Sequence, residues 1–165
     1  MLGEEILQRL RDRFTTTVVE IHDHRGDHTA VVDRAALPEV LRWCRDEPDL
    51  RFDILMDLTA VDYSRFAGRE DGPRFEVVYH LFSVGYNHRL RIKVRVDEDD
   101  ARVPTAVDLW PIANWFEREV WDMFGIRFDG HPDLRRLLLY EEFVGHPLRK
   151  DYPINRRQPL IGPRQ

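Results

Sequence analysis

The chain has 165 residues, 42% of them hydrophobic, with 25 Lys or Arg against 30 Asp or Glu and a formal net charge of −5. That length suits one domain with a sizeable core, and the mildly acidic balance argues against general affinity for nucleic acid. The single cysteine, Cys44, excludes an intrachain disulfide, a cysteine-ligated iron–sulfur cluster and any paired-cysteine zinc site. Met1-Leu2-Gly3-Glu4-Glu5 lacks the basic end and apolar run of a signal peptide. No apolar stretch approaches the roughly 20 residues needed to span a bilayer, so a soluble, intracellular protein is expected.

Residues 4–13 place Ile6, Leu7 and Leu10 on one face of a short helix. Residues 16–22 and 28–33 read as a hairpin turning at Arg25-Gly26-Asp27. His22, His24 and His28 cluster near that turn, but no cysteine or firmly spaced carboxylate completes a metal site, and solvated histidines are expected. Residues 35–46 read as a second helix with Pro38 in its first turn. Cys44, in helical spacing with Leu37, Val40 and Leu41, is expected as a buried core thiol. Phe52, Ile54, Met56, Leu58 and Ala60 predict one apolar strand face, followed by a polar loop over 64–73.

Residues 74–84 are apolar on both faces, as in a central strand. Residues 89–96 then alternate, with Leu90, Ile92, Val94 and Val96 inward and Arg89, Arg91, Lys93 and Arg95 outward. The basic stripe could hold phosphates. The acidic run over 97–100 follows at once, however, and favours a solvated or partner-facing sheet surface. Val103-Pro104-Thr105 predicts a short helical turn with Thr105 as its cap and Asp108 at the third position. The expected fold class is α+β, with helices packed on a mixed or antiparallel sheet of about four or five strands.

Residues 114–124 predict the main helix, with Asn114 as N-cap, Glu117 reaching back as in a capping box, and Gly125 as a left-handed C-terminal residue. Ile112, Trp115, Phe116, Val120, Met123 and Phe124 form its apolar face, with Glu119 in the middle; Arg118 and Asp122 are placed to pair. A carboxylate buried at Glu119 would have to be paired, protonated or turned to a polar contact. Two Gly-His-Pro triplets, at 130–132 and 145–147, then force non-helical turns.

From His146 on, Pro147, Pro153, Pro159 and Pro163 predict an extended chain, yet it carries Leu148, Tyr152, Ile154, Leu160 and Ile161. A disordered linker normally avoids such anchors, whereas an arm laid along a partner requires them. Residues 146–165 hold five Arg or Lys against one Asp, a net +4, while the other 145 residues hold 20 against 29, a net −9. An acidic partner surface suits such a tail. Two parts are expected: a globular α+β domain over 1–130, and over 131–165 a signature loop with an extended, basic, Pro-rich arm.

Chemistry by this chain alone finds little support. There is no Gly-rich phosphate loop, nucleophile elbow or metalloprotease helix motif. Glu117, Glu119, Asp122 and His131 could form an acid–base site, but Arg118, Arg135 and Arg136 stand close enough to neutralise them, and structural ion pairing is expected. Trp110, Trp115, Phe116, Trp121, Phe124 and Phe128 are expected to divide between core and interface rather than stack a cofactor.

Glu117-Arg118-Glu119, Asp122-Met123-Phe124-Gly125-Ile126, Gly130-His131-Pro132-Asp133-Leu134-Arg135-Arg136 and His146-Pro147-Leu148-Arg149-Lys150-Asp151-Tyr152-Pro153 follow one another in order. Together they resemble the signature of the 30-kDa-type subunit family of respiratory complex I, whose bacterial form is the C subunit of NADH:quinone oxidoreductase. The resemblance implies a non-catalytic subunit of the peripheral arm of a proton-translocating complex, peripheral on the cytoplasmic face of the bacterial inner membrane and attached to it only through the complex. Electrons would pass from NADH through FMN and iron–sulfur clusters to quinone, with no cofactor in this chain and those groups held by partner subunits. It would pack against the large quinone-site subunit and neighbouring iron–sulfur subunits.

By the same resemblance, Glu117, Arg118, Glu119, Asp122, His131, Arg135, Arg136, His146, Arg149, Lys150, Asp151 and Tyr152 would fix the signature region and its docking contact. Two alternatives stay open: the equivalent subunit of a membrane-bound hydrogenase or of a dehydrogenase with another electron donor, and a freestanding acid–base enzyme.

Overall fold

The computed structural model describes residues 3–69 and 72–162; Pro163, assigned above to the tail, lies outside them. Helix α1 (Gly3–Arg13) buries Ile6, Leu7 and Leu10, with Glu4 and Glu5 in its first turn and Arg11 and Arg13 in its last, as the helix dipole favours. Strands β1 (Val18–His24) and β2 (Asp27–Val32) pair antiparallel as predicted. Arg25 and Gly26 between them both have positive φ, 59° and 82°, the backbone a two-residue hairpin turn needs. Asp33 accepts from the Ala35 N–H at 2.7 Å and starts a short 3₁₀ turn, Arg34–Ala36, that leads into α2 (Leu37–Asp46).

Strands β3 (Ile54–Asp62), β4 (Phe75–Ser83) and β5 (His88–Val96) complete a five-stranded sheet in the order β1-β2-β5-β4-β3. Only the β2–β5 pair is parallel, so the sheet is mixed and the fold α+β, as expected. Leu90, Ile92, Val94 and Val96 lie beside Leu81, Tyr79, Val77 and Phe75 on the inner face. With Leu10, Leu37, Leu41 and Cys44 they form one core. Burial raises the Cys44 thiol pKa well above its usual range, as suits an inert core residue.

Two expectations fail. The alternation of β3 breaks at a register shift between Leu55 and Asp57. The bulge adds a residue to β3, so Leu55, Leu58 and Ala60 are buried while Ile54 and Met56 are 38% and 50% exposed. Residues at 103–104 belong not to a helical turn but to β6 (Arg102–Pro104), parallel to β7 (Arg127–Asp129) in a second small sheet. Helix α3 (Ala113–Phe124) connects them. Thr105 still caps the turn that follows β6, accepting from the Val107 N–H at 3.2 Å.

On the outer face Glu76 is buried and takes Arg69 at 2.9 Å, Lys93 at 3.0 Å and the Tyr63 hydroxyl at 3.0 Å. Arg91 pairs with Asp27 and Arg95 with Glu20, each at 2.6 Å. Arg91, Lys93 and Arg95 of the basic stripe are therefore matched by carboxylates of the same sheet, while the Arg89 guanidinium lies over the Phe82 ring. No described helix is long and apolar enough to cross a membrane.

Candidate functional site

Helix α3 starts at Ala113, after Ile112, which offers no side-chain cap. Asn114 is therefore not the N-cap, and the capping box is not formed. The turn after β6 brings the Ala106 N–H under α3, and Glu117 turns inward to meet it. One carboxylate oxygen accepts from Ala106 N at 2.6 Å, the other from the Thr105 hydroxyl at 2.6 Å. Glu117 is fully buried, and among the described residues no cation pairs with it. Burial outweighs these two donors and pushes its pKa up to about 7.

The buried residues of α3 are Ala113, Glu117, Val120, Met123 and Phe124, with Arg118 and Asp122 on the flank. This face is rotated from the predicted one, so Glu119 is exposed rather than enclosed, and Ile112 and Trp115 are 47% and 56% exposed. Arg118 does not reach Asp122. It donates instead to the carbonyls of Arg135 at 3.2 Å and Arg136 at 3.0 Å. Asp122 takes the Arg136 guanidinium at 2.6 Å and the N–H groups of Leu137, Leu138 and Leu139 at 3.1, 2.9 and 2.9 Å. Its burial, which alone would raise the pKa, is outweighed by these donors, and the carboxyl is held below its usual range.

The two Gly-His-Pro turns bracket α3 from either end. His131 Nδ1 accepts from the Asp133 N–H at 3.0 Å, so Nε2 carries the proton and donates to the Asn114 carbonyl at 3.1 Å. Gly125 ends the helix with φ 78°, as predicted. The three carbonyls before it are then capped in turn: Asp122 by His146 Nδ1 at 3.0 Å, Met123 by Leu148 N–H at 3.1 Å, Phe124 by Arg149 Nε at 2.6 Å. A Cβ at Gly125 would stand 2.7 Å from the His146 ring, so glycine there answers both backbone angle and close approach. Burial holds the His146 pKa below its usual value.

Two residues the sequence reading missed hold the next turn. Asp62, its side chain fully buried, accepts from Arg74 at 2.8 Å, from the Lys150 N–H at 2.8 Å and from the Ser64 N–H at 2.9 Å. Arg74 also pairs with Asp151 and with Glu98, each at 2.7 Å, while Arg149 reaches Glu98 at 3.3 Å. Burial opposes ionisation of Asp62, but these donors prevail and its pKa lies well below the carboxylate range. The available signal was a charged residue in the inward register of β3, two positions after Ala60.

The chain beyond His146 is turned, not extended, as far as Arg156. The N–H groups of Arg149, Tyr152 and Arg156 bond to the carbonyls of His146, Arg149 and Pro153. Tyr152 stacks on Phe143 at 6.1 Å and packs over Gly145, and the Gln158 amide bonds both backbone groups of Val144. Arg135 bonds Asp133, and Lys150 is exposed. A groove of about 970 Å³ opens between Trp121, Leu134 and Leu139 on one side and Pro159, Leu160 and Ile161 on the other. Leu138, Val144 and Leu148 are exposed, and Ile154 and Leu160 are wholly so.

The aromatic set divides: Trp110, Phe124 and Phe128 are core, Trp115 is surface, Phe116 and Trp121 lie at the boundary. His28 lies 3.4 Å from Asp23, and among the described residues no group of three or more His, Cys, Asp or Glu is arranged to hold a metal ion.

Residues 30–158 match the family described as respiratory-chain NADH dehydrogenase, 30 Kd subunit. The chain is 46% identical over 152 residues to the C subunit of NADH-quinone oxidoreductase from Acidithiobacillus ferrooxidans, a match covering 92% of this chain and 75% of that one. Among solved structures it is similar to the trypsin-resistant fragment (1-134) of Nqo5, with 36% identity, a TM-score of 0.70, and coverage of 81% of this chain and 100% of that one. It is also similar to a chain of the membrane-bound sulfane sulfur reductase, an archaeal respiratory membrane complex, with 28% identity, a TM-score of 0.74 and coverage of 93% and 86%.

Proposed function

The chain belongs to the 30-kDa subunit family of respiratory-chain NADH dehydrogenase, and on that premise we propose that it is a non-catalytic, peripheral-arm subunit of proton-translocating NADH:quinone oxidoreductase. In this reading electrons pass from NADH through FMN and iron–sulfur clusters, all held by partner subunits, to quinone. The chain packs against the large quinone-site subunit and neighbouring iron–sulfur subunits, on the cytoplasmic face of the bacterial inner membrane.

One observation carries the reading: several charged and histidine side chains of the signature segment turn inward while a set of large apolar side chains of the same region turns outward. Asp122, Arg118, Arg136, His131, His146 and Arg149 hold the chain to itself. Trp115, Leu138, Val144, Leu148, Ile154 and Leu160 remain exposed on the same region. Such a surface fits docking, with the signature charges as its scaffold. Residues 131–158 form the pinned platform, and the stretch beyond Gln158 serves as the arm.

Similarity to a chain of the sulfane sulfur reductase supports a second reading, the equivalent subunit of a respiratory complex with another electron donor. The test is purification of the tagged full chain from native membranes in mild detergent, with mass spectrometry of what accompanies it. Recovery of the large quinone-site subunit with an NADH-binding flavoprotein is expected. The large subunit without that flavoprotein would favour the second reading. Recovery of the chain alone, with turnover of its own, would replace both by a freestanding acid–base enzyme.

A further inference from the structure

Ile112, Trp115 and Glu119 fall at i, i+3 and i+7 and are exposed on the outward face of α3, with Phe116, half-buried against the core, at the edge of the stripe. We propose that this stripe is the anchor of the docking surface, seating the Trp115 indole in an apolar pocket of a partner protein bordered by an Arg or Lys that meets Glu119. The inference rests on the subunit reading above.

Trp115 is large and 56% exposed. The Arg118 guanidinium lies 5.3 Å from its ring centre, and Arg118 is itself 9% exposed and tethered to two backbone carbonyls. A large exposed aromatic flanked by a tethered guanidinium, with few rotatable bonds to order on binding, has the character of an interface hot spot.

Glu119 supplies the partner's chemistry. The other signature carboxylates on this helix, Glu117 and Asp122, are each engaged by donors of this chain. Glu119 makes no hydrogen bond or ion pair among the described residues, although it stands among apolar neighbours. Covering that stripe with an uncharged surface would strip water from a bare carboxylate, which is costly unless a cation replaces it. A second copy of this chain fits poorly, because an isologous contact would pair the stripe with itself, and Ile112, Trp115, Phe116 and Glu119 include no Arg or Lys to meet Glu119.

The test uses the tagged full chain in its native complex, with Trp115→Ala, Glu119→Gln and Glu119→Arg, and follows co-purified large subunit against rising KCl. Trp115→Ala and Glu119→Arg should each cut retention by about tenfold or more, and Glu119→Gln should flatten the salt dependence. Because both side chains are exposed, the variants should melt within about 2 °C of the parent chain. Wild-type retention by all three variants overturns the anchor and leaves the subunit reading standing. Loss of retention accompanied by a comparable loss of thermal stability, or self-association of the parent chain that the variants abolish, also overturns it. A parent chain that captures no large subunit removes the subunit reading and the anchor together.

Discussion

Glu117 and Asp122 show how little residue type says about a buried carboxylate. Both lie on α3 and both are fully buried, yet one is pushed up to about 7 and the other held below its usual range. Asp122 has a guanidinium and three N–H donors, whereas Glu117 has one N–H and one hydroxyl. A carboxyl raised from 4.5 to about 7 on folding contributes stability that is fully present below pH 4.5 and lost as pH rises to about 7. Glu117→Gln keeps an acceptor for Ala106 and a donor for Thr105 without the charge. It should be more stable than the parent by about 2–3 kcal/mol at pH 8 and close to it at pH 4, as read by urea unfolding across that range. An unchanged pH dependence would mean that Glu117 is charged and solvated.

At the scale of elements, the C-terminal turn of α3 and the strand pair β3–β4 are joined by one short segment, 146–151. The last carbonyls of the helix meet a histidine, a backbone N–H and an arginine, and the cation also suits the negative end of the helix dipole. Arg74 is the centre of the other half, because it alone is an ion-pair partner of Asp62 among the described residues. Arg74→Ala leaves that carboxylate buried without its cation and should cost about 3–5 kcal/mol. Asp151→Ala removes a partner whose side chain is 59% exposed and should cost under about 1 kcal/mol. Equal losses in denaturant unfolding would refute this ranking. Asp62 and Asp122, with depressed pKa values, contribute stability present above pH 3.8 and lost as pH falls through their folded values, so acid should release the segment.

For the molecule as a whole, these contacts make the region after Gly145 part of the body as far as Gln158. A chain ending at Gly145 should melt roughly 10 °C below the full chain, whereas one ending at Gln158 should stay within a few degrees, by calorimetry. Equal melting of the two truncations would show that 146–158 is only an appended arm. Docking is therefore better probed by Ile154→Asp with Leu160→Asp than by truncation at Gly145, since both side chains are wholly exposed. That double variant should lose large-subunit retention while keeping its melting temperature.

Periodicity alone determined the hairpin, the apolar faces of α1, α2 and β5, the left-handed Gly125 and the α+β class. These depend on residues within a few positions of one another, where a spacing of two or of three and four maps directly onto a face. The signature blocks likewise made the family legible. Tertiary structure alone decided the bulge in β3, the strand β6, the inward turn of Glu117 and the outward turn of Glu119. A one-residue change in where a helix starts or a strand slips rotates or inverts a face, and the partners that set it, Ala106 for Glu117 and Arg136 for Asp122, lie eleven and fourteen residues away. The Asp62–Lys150 bond spans 88 residues, and no local pattern encodes a contact of that length.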